Sequence, residues 1–352
     1  MSTFNGKHIS VTIFGESHAD KIGVIAKGFP TFKFDLCKLD EFLTRRKASG
    51  QVYSTSRIES DTPVFDGVTN GQINGEFTAT IFNANKKKQD YADLVGKPRP
   101  SHADYAWHLK DGAIDFTGGG RFSGRMTAPL CIAGGIAKQY LETLGIKIYA
   151  YASNIGGIKG TSYKDGEVSL LELEKLLASG QFPALSNSDE MLAAIAEAKS
   201  QGDSLGGVIE CVLYGMKAGV GDCLFDGLEG KIANLVYSVP AVKGVEFGDG
   251  FQLATIKGSV ANDPYQFVDG RVTTVKNSAG GINGGISNGA NITLSVAIRP
   301  TPSIAKEQQT VDLVNKVNTT ICVKGRHDAC IVPRAVPCIE SAVALAILDE
   351  IL

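Results

Sequence analysis

The segment 337–352 most constrains how this chain can fold. After Pro337, residues Ala342, Val343, Leu345, Ala346, Leu348 and Ile351 leave almost no polar face. A helix that is apolar all round belongs in the interior, so this one is expected to be buried. Proline suits a first helical turn, where its missing N–H costs nothing, and predicts a helix start at Pro337. Immediately upstream runs Gly325-Arg326-His327-Asp328-Ala329-Cys330-Ile331-Val332-Pro333-Arg334-Ala335-Val336. Charges held at the mouth of a buried helix suit an anion, although a structural Arg–Asp pair closing a loop would also explain them.

A second stretch has the same layout. Gly118-Gly119-Gly120-Arg121-Phe122-Ser123-Gly124-Arg125 precedes a helical pattern with Leu130, Ala133, Ile136, Ala137, Tyr140, Leu141 and Leu144 on one side. Its small residues suit tight packing against sheets, and the echo hints at two similar halves. Consecutive glycines let backbone N–H groups approach a phosphate or a planar ring, but a bulge or tight turn would need them too.

Elsewhere the pattern predicts strands. Ile9, Val11 and Ile13 alternate with polar residues and lead into Phe14-Gly15-Glu16-Ser17-His18. Further strands are expected over 22–26, 64–82, 147–152, 208–214 and 292–298, with turns at Asn70-Gly71 and Asn74-Gly75. A helix capped by Asp35 carries Leu36, Leu39, Phe42 and Leu43 inward and ends on Arg45-Arg46-Lys47, where cations complement the dipole. Helices over 170–177 and 189–200 are amphipathic and peripheral, and another covers 228–236. The polar stretch from Lys86 to position 97 is expected as a mobile surface loop. The glycine-dense segment 277–289 is expected as an ordered loop lining a ligand site, since Ile282 and Ile286 recur within it.

Composition narrows the function. At 352 residues and 43% hydrophobic, the chain can bury a large core as one big domain or two ordinary ones. A net charge of -2 gives no electrostatic case for nucleic acid or an anionic membrane. No apolar run approaches a membrane span, and the N-terminus has no signal-type apolar core. The seven cysteines form no Cys-x-x-Cys pair, and the five histidines show no zinc spacing. The expectation is a reduced, cytoplasmic protein with no bound metal.

Arginines in a chain this close to neutrality are the strongest chemical signal. Arg46, Arg99, Arg121, Arg125, Arg299, Arg326 and Arg334 come from distant stretches, and gathering them suits a multiply anionic ligand. Guanidinium forks match phosphate and carboxylate geometry. His18 and His102 stand beside such groups and could give a proton to a departing phosphate. No Walker loop or acidic metal cluster supports nucleotide-driven phosphoryl transfer. The residues by themselves stop at an enzyme acting on a small phosphorylated acid, with room for a planar cofactor over the glycine loops.

Six ordered blocks go further by resemblance. Phe14-Gly-Glu-Ser-His18, Arg99-Pro-Ser-His-Ala-Asp104, Gly118-Gly-Gly-Arg-Phe-Ser123, Ala241-Val-Lys-Gly-Val-Glu246, Gly280-Gly-Ile-Asn-Gly-Gly-Ile-Ser287 and Gly325-Arg-His-Asp328 resemble chorismate synthase across nearly the whole chain. The resemblance implies an α+β fold in one domain over 1–352, a β-α-β sandwich in which two sheets enclose central helices, assembled as a homotetramer. It implies anti-1,4-elimination of phosphate from 5-enolpyruvylshikimate 3-phosphate to give chorismate, with reduced FMN that is not consumed. By the same resemblance His18 protonates the leaving phosphate, His102 acts on the flavin, and Asp328 accepts the substrate's proton through flavin N5. Ser17, Arg46, Arg99, Arg125 and Arg334 hold the substrate. FMN lies on Arg121, Phe122, Ser123, Ala241, Gly284, Arg299, Pro300, Thr301, Pro302, Ser303 and Arg326. The sequence departs from the family pattern at Ala19, Phe122, Met126, Pro240 and Ala329. A non-catalytic flavin- or phosphate-binding relic of the same fold is the competing reading.

Overall fold

The computed structural model of the chain describes every residue except 49, 56–58, 84–93, 117, 167 and 324–326. The expected polar loop at 86–97 therefore lies mostly outside the described residues, as does Arg326, which was expected to hold flavin.

The first half builds one antiparallel sheet. Strands β1 (Ser2–Asn5), β2 (Ser10–Gly15), β3 (Lys21–Lys27), β4 (Phe32–Lys33), β5 (Val64–Thr69) and β6 (Gln72–Phe82) pair in the order β1-β2-β3-β6-β4, with β5 also on β6. Asp35 starts α1 (Leu36–Arg46) as its type predicts, accepting from the backbone N–H of Cys37 at 2.8 Å and of Lys38 at 3.3 Å. Asn70 and Gly71, at φ 50° and 79°, close the β5–β6 hairpin. The second expected turn, Asn74-Gly75, instead lies inside β6. There β6 passes from β4, paired at Gln72 and Ile73, to β3, paired from Glu76 onward, and Gly75 at φ 86° absorbs the step. After α2 (Asp104–Asp111) the half ends on α3 (Thr127–Thr143).

The second half repeats the plan with more insertions. It contains β7 (Lys147–Ile155), β8 (Ile158–Lys159), α4 (Leu170–Ala178), α5 (Ser188–Ser200), β9 (Gly207–Tyr214), α6 (Leu228–Tyr237), β10 (Val242–Phe247) and α7 (Gly258–Ala261). Hairpins β11 (Tyr265–Val268) with β12 (Arg271–Thr274) and β13 (Ile282–Asn283) with β14 (Ile286–Ser287) precede β15 (Ile292–Ile298). A last hairpin, β16 (Glu307–Asp312) with β17 (Val317–Cys322), leads to α8 (Val332–Ile351). The second sheet is antiparallel in the order β10-β15-β9-β7-β8.

Helices α3 and α8 lie against each other between the sheets, α3 on β3 and β6, α8 on β7 and β9. With α1 and α6 they form the middle layer of a β-α-β sandwich, and one continuous hydrophobic core runs through all three layers. The burial expected of α8 is observed, but its start is not where expected. The helix begins at Val332, with Pro333 in the first turn and Pro337 in the interior. Pro337 removes one bond to the carbonyl of residue 333, and packing on every side holds the helix through it. Arg334 therefore stands on a helical turn at the edge of the site.

The small residues of α3 serve helix contacts more than sheet contacts. A Cβ at Gly134 would lie 2.2 Å from the Ser341 Cβ on α8, and one at Gly135 would lie 2.8 Å from Leu39 on α1. Gly134→Ala is expected to cost about 1–3 kcal/mol through overpacking, despite the better helix propensity of alanine. Urea denaturation checks this, and equal or greater stability would show that α3 and α8 can separate without loss.

Candidate active site

The end of β2 delivers Ser17 and His18 to the edge of the helical layer. The Ser17 N–H donates to Gly120 O at 3.2 Å, and its hydroxyl lies 2.9 Å from His18 Nδ1. Gly118, at φ 63°, has no room for a side chain, because a Cβ there would sit 2.2 Å from His18 Cε1. The same residue's carbonyl accepts from Arg99 Nη2 at 2.6 Å. The glycine triplet thus lies between the two histidine-bearing segments and seats His18.

His102 comes from the turn before α2. Its Nδ1 lies 2.5 Å from Asp104 Oδ1, and Asp104 is gripped by Arg99 through Nε at 2.7 Å and Nη2 at 2.8 Å. Burial pushes the Asp104 carboxyl upward, but the bonds from Arg99 and His102 outweigh this and hold it at about 2. Arg99 itself is buried behind the cavity wall and makes no part of the lining.

Arg46, Arg125 and Arg334 also line the cavity. Arg46, at the end of α1, donates to Asp61 Oδ2 at 2.7 Å and Thr127 Oγ1 at 3.0 Å. Arg125 donates to the other Asp61 oxygen and, through Nε and Nη2, to Asn83 Oδ1 at 3.1 and 3.0 Å. One buried carboxylate therefore spaces two guanidiniums that would otherwise repel. Asp328 accepts from Arg334 Nη1 at 2.6 Å and from the Thr55 N–H at 2.6 Å, while Arg334 Nε donates to the Arg46 carbonyl at 3.0 Å. Asp328 sits just before the α8 N-terminus, where a carboxylate is favoured.

These groups converge on one cavity of ≈ 260 Å³. Its lining includes Ser17, His18, His102, Asp328, Arg46, Arg125 and Arg334, with Phe122, Ser123, Ala241, Arg299, Thr301, Pro302 and Ser303 of the expected flavin set. The Arg299 side chain has no hydrogen bond or ion pair among the described residues, and burial alone draws its pKa below the ordinary arginine value. The Thr301 hydroxyl, two residues on, is buried without a partner. The structure thus presents an unpaired cation and an unsatisfied hydroxyl on one short segment facing the cavity.

Other expected residues lie elsewhere. Arg121 is turned outward over the Trp107 ring at 4.7 Å, towards Glu16 at 3.7 Å. Phe122 meets the same indole edge to face at 5.4 Å. Pro300 is outside the lining. Gly284 is exposed in the β13–β14 turn at the start of α6, where the Leu228 N–H donates to Gly285 O. Ala241 follows the other end of that helix, about 15 Å away by helix rise. The segment 277–289 is ordered as expected, but it does not line the cavity that holds the histidines. Its glycines at positions 280, 281, 284 and 285 all take positive φ and shape a hairpin instead.

Sequence reasoning gave no individual role to Glu59, Asp61 or His327 on the cavity wall, or to Asp104 behind it. The signal for Asp104 was the His-x-Asp spacing inside a motif already singled out. Asp61 stands outside every motif quoted above and carried no such signal.

Comparison with known proteins identifies the family. The chorismate synthase family model matches residues 9–352. Chorismate synthase of Dehalococcoides mccartyi is 39% identical over 99% of this chain and 96% of that one. The enzyme of that name from Korarchaeum cryptofilum is 41% identical over 99% and 96%, and the one from Lancefieldella parvula 43% over the same shares. A crystal structure of chorismate synthase superposes with a TM-score of 0.75 at 25% identity, covering 98% of this chain and 92% of the other. With the sheets, the paired central helices and the histidine-arginine cavity all in place, the chain belongs to the chorismate synthase family.

Proposed function

We propose that this cavity carries out the anti-1,4-elimination of phosphate from 5-enolpyruvylshikimate 3-phosphate, giving chorismate, as a carbon–oxygen lyase of the shikimate pathway. The observation that carries the reading is the convergence of His18, His102 and Asp328 with four arginines on a single wall-to-wall cavity. A relic that only bound an anion would need none of the three acid–base groups, which speaks against that alternative.

The residues present fit reduced FMN. An unpaired Arg299 and an orphaned Thr301 hydroxyl, with Ser303 beside them, offer a cation and donors to a phosphate-bearing ligand. Ser123, Ala241 and Pro302 line the same cavity, and Phe122 adds an aromatic edge. When bound, reduced FMN would supply electron density to the cleaving system and end the cycle unchanged in redox state. The protein's own part is acid–base chemistry and charge placement. As the carbon–oxygen bond breaks, His18 gives a proton to the departing phosphate oxygen, and the adjacent Ser17 hydroxyl fixes the ring. Arg46 and Arg125, spaced by Asp61, and Arg334, anchored on α8, meet the substrate's anionic groups. Asp328 is the terminal acceptor for the proton leaving carbon, so phosphate loss and proton loss balance in a new double bond.

The chain is read as one domain over 1–352, cytoplasmic and homotetrameric. Among the described residues no helix is long and apolar enough to cross a membrane. Exposed Leu224, Phe225, Phe251 and Phe267 give apolar surface for assembly.

Anaerobic incubation with reduced FMN and the substrate, following chorismate absorbance and phosphate release, tests the activity. Equal molar release of both supports the reading, and sustained turnover with oxidised FMN and no reductant would sink it. Arg299→Ala is expected to weaken reduced FMN by about 10–100-fold, the scale of one charge-assisted hydrogen bond. A flavin titration that gives an unchanged dissociation constant would remove Arg299 from the flavin site.

A further inference from the structure

The neighbours of the second histidine decide which of its ring nitrogens carries the proton. His102 Nδ1 has two neighbours with opposite demands. Asp104 Oδ1, at 2.5 Å, belongs to a carboxyl held at about 2, so it is ionised at neutral pH and can only accept. Arg99 Nη2, at 3.2 Å, can only donate. A proton on Nδ1 satisfies the first contact and opposes the second; a bare Nδ1 does the reverse. Distance decides between them. Two acceptors do not approach to 2.5 Å without a proton between them. The Arg99 contact is longer, and Nη2 has better acceptors in Gly118 O at 2.6 Å and Asp104 Oδ1 at 2.8 Å.

We propose that Asp104 is a positioning residue: it holds His102 as the Nδ1–H tautomer, so that Nε2 is the nitrogen left bare for the cavity. Arg99 completes the arrangement from behind. It orients both carboxylate oxygens of Asp104, donates its own backbone N–H to Oδ2 at 3.0 Å, and reaches Ser303 Oγ at 3.4 Å on another lining segment. Its place is thus explained without a direct contact to substrate. Among the described residues Nε2 takes no hydrogen bond, and the side chain remains 12% exposed on the cavity wall. A bare Nε2 is an atom that takes a proton from a bound group and can return it. The fixed Nδ1–H keeps the ring from meeting that group with the wrong nitrogen.

What His102 acts upon rests on the proposed function, but its tautomer does not. The test therefore begins with protein free of flavin and substrate. Wild-type protein labelled with ¹⁵N only at histidine rings is measured at pH about 9, where an ordinary imidazole is neutral. The His102 signals are assigned by their loss in His102→Gln. The expected spectrum has a protonated-type Nδ1 and a bare-type Nε2. A protonated Nε2 with bare Nδ1 overturns the proposal, and this measurement needs no variant at position 104. In Asp104→Asn the amide can donate to Nδ1, so the tautomer is expected to move to Nε2–H. An unmoved tautomer also overturns it. In turnover, Asp104→Asn is expected to lower kcat by about 10–100-fold with KM changed less than about threefold. A shifted tautomer with unchanged kcat would deny Asp104 its role in the reaction while leaving the activity itself standing.

Discussion

Asparagine in place of Asp328 is expected to bind reduced FMN and substrate near normally and to turn over about 10²–10⁴-fold more slowly. Asparagine keeps the shape and one acceptor but cannot take a proton. Two roles meet at this carboxylate. It pairs with Arg334 Nη1 at 2.6 Å and accepts the Thr55 N–H at 2.6 Å, so the structural Arg–Asp pair is real. It also lines the cavity with both histidines. An amide can satisfy only one of the two donors, which costs about 1–3 kcal/mol of local stability. If pairing were the whole role, flavin affinity, substrate affinity and rate would fall together. If Asp328 is the base, kcat and kcat/KM fall alike and ground-state binding is spared. Equilibrium titrations of the variant, set beside its turnover, separate the two. A rate close to wild type would place the base elsewhere.

Periodic elements were legible because their periodicity is imposed locally. Asp35 capping α1, the Asn70-Gly71 hairpin and β15 over Ile292–Ile298 all follow from residue type and spacing. The misread points are those where a neighbour decides. Asn74-Gly75 has turn chemistry, yet β6 runs straight through it because β4 and β3 hold it on either side of the step. Pro337 has the look of a helix start, yet Pro333 takes that place and surrounding burial carries the helix past Pro337. The same division holds at the site. His18, His102, Asp328 and the arginines were visible as charges in ordered segments. Their partners were not, because Asp61 meets Arg46 and Arg125 only after α1 and α3 have packed. Arg99 shows the limit most clearly. Its charge suggested a substrate contact, but only the fold reveals that Asp104 occupies its fork.

Glu340 lies outside the cavity lining and is expected to carry the largest stability effect. It sits on α8, fully buried, and accepts from Arg45 on α1 at 2.7 Å, Lys138 on α3 at 2.7 Å and the Ala150 N–H on β7 at 3.0 Å. One carboxylate thereby ties three helices to the second sheet. Burial drives its pKa upward, but Arg45 and Lys138 outweigh burial and hold it at about 2, below the ordinary 4.5. A carboxyl depressed on folding stabilises the folded state above its unfolded pKa. That contribution is lost as pH falls through the folded value, so the window runs from about 4.5 down to about 2. The depression corresponds to about 3 kcal/mol. Removing one partner of a buried charge cluster costs about 3–5 kcal/mol, because the remaining charges are left uncompensated. Glu340→Gln is thus expected to lower stability by about that much at pH 7, with Lys138 and Arg45 still buried. The gap to wild type should then narrow as pH falls towards 2, where the native carboxyl also becomes neutral. Urea denaturation of both proteins at one fixed concentration, repeated between neutral and acid pH, measures the gap directly. A gap that stays constant across that window would mean that Glu340 acts by shape alone and that its charge contributes nothing to holding the layers together.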